Sequence, residues 1–81
     1  MIVVNRRGEL EAIIEQRIKE QGPNCDLNDI DVSEVEDMSF LFCGSKFNGD
    51  ISEWDTSRVE SMKDIFKGSP LANNKPKWHR S

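Results

Sequence analysis

A 24-residue internal repeat constrains this chain more than any other feature. Asp31–Trp54 aligns with Asp55–Trp78, and nine of the 24 pairs are identical: Asp31/Asp55, Ser33/Ser57, Val35/Val59, Glu36/Glu60, Met38/Met62, Phe42/Phe66, Gly44/Gly68, Ser45/Ser69 and Trp54/Trp78. Average residue usage would give about one or two identities by chance. A partial third copy lies upstream, where Asn24, Asp26, Leu27 and Ile30 match Asn48, Asp50, Ile51 and Trp54. A fixed period of this size marks architectures in which each unit buries its apolar face against its neighbours.

The shared residues suggest structural roles. Ser33–Glu36 and Ser57–Glu60 both have the S-x-x-E form of a capping box, in which the hydroxyl takes an amide of the first turn and the Glu reaches back. Each box precedes apolar residues at spacings of three and four: Val35, Met38, Leu41 and Phe42, then Val59, Met62, Ile65 and Phe66. That spacing predicts two short helices near 34–43 and 58–67 with one apolar face each. Gly44 and Gly68 suit their C-terminal caps. Ile51–Trp54 and Lys75–Trp78 are short and bounded by turn residues, and read as strands.

The first third follows the same order with different residues. Ile2-Val3-Val4 reads as a strand. A helix over 8–21 follows, with an apolar stripe of Leu10, Ile13, Ile14 and Ile18, the stem of Arg17, and Glu9 and Glu11 in the first turn, where the helix dipole favours acids. Gly22-Pro23 ends it. The expected fold class is therefore α/β. It is a short right-handed solenoid of 24-residue βα repeats, like a leucine-rich repeat, with an N-terminal amphipathic capping helix. All 81 residues form one domain, with 1–23 as the cap and 24–78 as the repeats. Pro76, Lys75 and Lys77 would protect the last strand from pairing, so residue 81 reads as a true end.

Size and charge bound the function. A compact globule of 9.3 kDa buries about 63 % of its unfolded surface, roughly 8,500 of 13,500 Å²; an open stack buries less. The formal net charge is −4, which argues against nucleic acid, since phosphate binding needs a basic face. Residues 25–60 hold ten acids against Lys46 and Arg58, and residues 61–81 hold five bases against Asp64. No apolar run approaches the ~18 residues of a membrane span. The start of the chain also lacks the basic and apolar runs of a secretory signal, so cytoplasmic is the default location. Cys25 and Cys43 read as reduced and buried rather than bridged.

Reactive constellations are sparse. Asp26, Asn28, Asp29 and Asp31 suggest a calcium loop, but positions six and twelve hold Asp31 and Asp37, where a calcium loop needs Gly and Glu. Zinc would need four ligands, and beyond carboxylates only Cys25, Cys43 and His79 are offered. No catalytic residue, cofactor or metal is expected. Trp54 and Trp78 read first as core residues of their strands, with exposed interaction anchors as the alternative and Trp78 the better candidate for exposure; Lys75 and Lys77 are the other candidate interaction residues.

The string Asp31-Val32-Ser33-x-Val35-x-Asp37-Met38-Ser39-x-Leu41-Phe42-x-Gly44 is followed by Phe47-Asn48-Gly49-Asp50-Ile51-Ser52-x-Trp54-Asp55-Thr56-Ser57-x-Val59. It resembles the BspA-like leucine-rich-repeat family of bacterial surface proteins. That family's pattern is W-D-[VT]-S-x-V-x-x-M-x-x-M-F-x-G, then F-N-x-D-I-x-x-W, and the resemblance covers about residues 24–78. It implies a repeat protein without enzymatic activity, often surface-exposed or secreted, and linked in some members to adhesion and host-protein binding. The last unit departs from it, with Leu71-Ala72-Asn73-Asn74-Lys75 in place of F-N-x-D-I.

The expected function is thus a non-enzymatic module that binds an unidentified protein, as a monomer or with weak self-association. One alternative is a small calcium-binding or enzymatic protein using the Asp26–Asp37 cluster. Another is a self-associating structural unit with docking acidic and basic regions.

Overall fold

The computed structural model describes residues 2–79. Strand β1 (Ile2–Val3) leads into helix α1 (Arg7–Gln21), and β2 (Ile30–Asp31) returns beside β1. The two strands pair in parallel, Ile2 against Ile30 and Val3 against Asp31. A parallel pair needs a crossover, and α1 supplies it. The helix agrees with the 8–21 expectation to within one residue. It buries Leu10 and Ile14, carries Glu9 in its first turn, and closes with the N–H of Gly22 on the carbonyl of Ile18.

Beyond β2 the expected solenoid of βα repeats is not what forms. Among the described residues, α1 is the one α-helix, and a 3-10 turn spans Pro70–Asn73. Residues 34–43 and 58–67 are turns joined by an isolated parallel bridge between Asp37 and Ser61, and 51–54 and 75–78 are not strands.

Backbone hydrogen bonding gives the reason. In the first copy the N–H groups of Leu41, Cys43 and Ser45 donate back three residues, to Met38, Phe40 and Phe42. Those of Met38, Phe40, Phe42 and Gly44 instead donate across, to the carbonyls of Ser61, Lys63, Ile65 and Lys67 at 2.8–2.9 Å. An α-helix needs every N–H aimed four residues back. Here alternate groups face the other copy, which no helix permits. Phe40 (φ 58°) and Asp64 (φ 51°), which are equivalent in the repeat, adopt left-handed backbone, as do Gly44 and Gly68. A single left-handed residue breaks a right-handed helix.

The capping boxes fail for a related reason. Asp31 Oδ1 takes the amide and hydroxyl of Ser33, and Asp55 Oδ1 takes the amide of Ser57. Short acidic side chains that bond two residues ahead build turns, so each Ser serves its preceding Asp rather than a helix.

The residues expected on the apolar faces are buried nonetheless. Val35, Met38, Leu41, Phe42, Val59, Ile65 and Phe66 join Leu10, Ile14, Leu27 and Trp54 in one core cluster, with Met62 packed against it. Equivalent rings meet across the copies: Phe42 and Phe66 lie 5.7 Å apart, and Trp54 and Trp78 6.0 Å, both pairs stacked. The radius of gyration is 11.3 Å, against about 11.7 Å for a compact domain of this length. The accessible surface of 5014 Å² matches the roughly 5,000 Å² of a compact globule of this mass, so the chain does not behave as an open stack.

Candidate functional site

Trp54 and Trp78 both pack within the fold. Trp54 is 4 % exposed, and its indole N–H donates to the carbonyl of Leu27 at 2.9 Å. Trp78 is half-buried and repeats that bond one copy later, onto Ile51 at 2.7 Å. Lys75 and Lys77 are exposed. The structure brings Trp54 and Trp78 together by stacking. Lys75 and Lys77 lie in the irregular segment before Trp78.

The acidic residues have local work. Asp26 Oδ1 accepts the amide of Asn28, Asp37 Oδ1 that of Ser39, and Asp50 Oδ1 the amide and hydroxyl of Ser52. Asp29 grips Arg17 with both oxygens at 2.9 Å. Bonding to the Ser hydroxyl, then to its amide, holds the Asp31, Asp37 and Asp55 carboxyls below the usual aspartate range. For Asp50 the Ser52 amide contributes most. Asp29 is lowered chiefly by its bond to Arg17. Among the described residues, no group of three or more His, Cys, Asp or Glu is placed to hold a metal ion. Both cysteines are free thiols; Cys25 is buried, whereas Cys43 is exposed, contrary to expectation.

The two faces of the stacked copies differ. On the side of the first copy, α1 lies over the turns: Glu11, Ile14, Glu15 and Ile18 face Phe40, Leu41 and Cys43 across a cleft of about 250 Å³. The guanidinium of Arg7 donates to the carbonyl of Ser39 there. On the side of the second copy no element covers the turns among the described residues. A groove of about 560 Å³ opens there, with Met62, Phe66, Lys63, Lys67 and Lys75 in its lining. His79 closes one side, with its ring 5.5 Å from that of Phe66. Burial lowers its imidazole pKa, and Lys75 adds repulsion.

The turns along the groove carry a feature that the sequence did not reveal. The N–H groups of Met62, Asp64, Phe66 and Gly68 correspond to those of Met38, Phe40, Phe42 and Gly44, yet they find no acceptor among the described residues. The repeat alignment pairs these positions. Only the alternating bond pattern shows that one row is satisfied and the other bare.

The chain is therefore a small repeat protein whose two copies stack by turns, with a helix over one face and a groove on the other. It belongs to the DUF285 family, described as a Mycoplasma protein of unknown function, whose pattern matches residues 11–81. Neither a curated protein nor a solved structure matches the chain. Among the described residues, no helix is long and apolar enough to cross a membrane.

Proposed function

We propose that this chain is a non-enzymatic module that binds another protein through the face of its second copy. The observation that carries the reading is the uncovered groove of about 560 Å³, which joins apolar Met62, Phe66 and Ala72 to the ammonium groups of Lys63, Lys67 and Lys75. An apolar floor with a charged rim is the usual anatomy of a protein interface. The acidic side chains that would otherwise suggest chemistry are occupied in turns and ion pairs. The resemblance to BspA-like repeats supports the same reading, and suggests a bacterial surface or host-facing partner.

The test is affinity capture from the native cell and from host extracts. Wild-type protein is compared with a Lys75→Glu/Lys77→Glu variant, whose exposed side chains leave the core intact. A protein retained by the wild type and lost by the variant is expected. Equal recovery on both, or none above an unrelated chain, refutes the reading.

A further inference from the structure

We propose that the bare N–H row of the second copy is a docking strip for a partner polypeptide segment that pairs through its main-chain carbonyls and carries carboxylate side chains. The proposal rests on the protein-binding reading above and deepens it by naming the strip and the partner's chemistry.

The argument starts from the same row one copy earlier. The amides of Met38, Phe40, Phe42 and Gly44 are taken by Ser61, Lys63, Ile65 and Lys67, a polypeptide offering a carbonyl at every second residue. Moving 24 residues along places Met62, Asp64, Phe66 and Gly68 in the donors' role, without acceptors among the described residues. Four donors on alternate residues match the carbonyl spacing of another polypeptide, which is how an unpaired edge recruits a segment. A single anion would satisfy one or two of them.

The existing acceptor segment also shows the path a partner must follow. Ser61–Lys67 passes through left-handed backbone at Asp64, so a partner wants Gly, Asn or Asp at the equivalent point. It stacks Phe66 on Phe42, whereas Phe66 itself is buried with Trp78 and His79 against its ring, so a partner engages the strip through its main chain and not through a ring over Phe66. The side chains above the strip set the charge preference. Lys63, Lys67 and Lys75 outnumber Glu60 and Asp64 in the groove lining, which favours a segment bearing carboxylates.

A second copy of this chain fits poorly. The carbonyls of Met62, Asp64 and Phe66 already accept from Ile65, Lys67 and Ser69, so two such faces would set donors against donors. On the first copy's side, α1 lies over the turns.

The experiment uses the full chain and amide hydrogen exchange by NMR. The probe is a synthetic peptide with the sequence of residues 55–78 carrying K63E and K67E, since that sequence already follows the required path. In the free protein the amides of Met62, Asp64, Phe66 and Gly68 should exchange freely while those of Met38, Phe40, Phe42 and Gly44 are protected. Saturating peptide should slow the first set by about tenfold or more. A Lys63→Glu/Lys67→Glu protein should reverse the preference, favouring the peptide with both lysines over the one with both glutamates.

Protection of the four amides in the free monomer overturns the proposal, as does peptide binding that leaves them unprotected. No binding, or indifference to the charge swap, overturns it too. Protection that rises with protein concentration alone, with dimers in sedimentation, replaces the partner with a second copy and refutes the occupant named here. In each of these cases a partner captured through Lys75 and Lys77 would still stand, which separates failure of the strip from failure of the binding reading.

Discussion

A β-carbon at Gly49 would overlap the carbonyl oxygen of Cys25 and press on the Phe47 ring at 2.8 Å. Both obstacles are held: Cys25 is buried and Phe47 is fully enclosed. Gly44 differs, because a β-carbon there meets nothing within 4 Å while its φ is +69°. One glycine answers to space and the other to backbone conformation, so the same substitution should cost different amounts. Gly49→Ala is expected to lose about 3 kcal/mol, the upper end for overpacking. Gly44→Ala should lose about 1 kcal/mol, the cost of one residue in left-handed backbone. Urea midpoints of the two variants check the order; a smaller loss at Gly49 would refute the steric account. Phe42 lies at the centre of the aromatic packing, within 6.0 Å of Phe47, Trp54 and Phe66. Phe42→Ala should cost about 3–5 kcal/mol. A chain of this length has a total stability of only about 4–12 kcal/mol, so the variant should lose a large share of it and melt at a markedly lower temperature by circular dichroism.

At the scale of elements, the turns depend on ionised aspartates. The Asp31, Asp37, Asp50 and Asp55 carboxyls are all held below the usual range by bonds to the Ser two residues ahead. A depressed carboxyl contributes stability that is complete above the unfolded value of about 3.9 and drains away as pH falls through the folded value. The melting temperature should therefore decline gently between pH 7 and about 5, where the depressed His79 imidazole is protonated more readily in the unfolded chain, and then fall more steeply below about pH 4. Asp55→Asn keeps the acceptor and removes the titration, so its acid limb should be shallower than the wild type's. Asp55→Ala should also melt lower at pH 7. A wild-type profile with no acid limb would remove these turns from the stability account. The turns also show why helices were expected at 34–43 and 58–67. Apolar spacings of three and four suit a helix, and they equally suit successive turns that each bond three residues back. The deciding residues, Phe40 and Asp64, adopt left-handed backbone, and neither announces it as a glycine would.

Across the whole molecule, α1 and both copies share one core. Leu10 and Ile14 of the helix belong to the same buried cluster as Phe42, Trp54 and Phe66. Unfolding is expected to be a single transition, with helical ellipticity and tryptophan fluorescence falling together. Leu10→Ala should lower both by the same shift, at a cost of about 2–5 kcal/mol. Separate transitions for the two probes would show that the helix is not integral to the stack. Charge is less decisive at this scale. The Arg58–Glu34 pair links equivalent positions of the two copies at 2.9 Å but is exposed on both sides, and such pairs contribute about 0–1 kcal/mol.

The sequence alone determined the repeat period, the burial of the apolar residues at its fixed spacing, and the ends of the first helix to within a residue. These follow from composition at fixed spacing, which hydrophobic burial reads directly. Only the tertiary structure decided that the copies stack as turns, because that depends on where each backbone N–H finds its acceptor. Met38, Phe40, Phe42 and Gly44 find theirs in residues more than twenty positions away, and a local pattern holds no record of a partner so distant. The same reason hid the candidate site. The four amides of Met62, Asp64, Phe66 and Gly68 differ from their counterparts only in lacking a neighbour among the described residues, a property of position in the fold rather than of residue type.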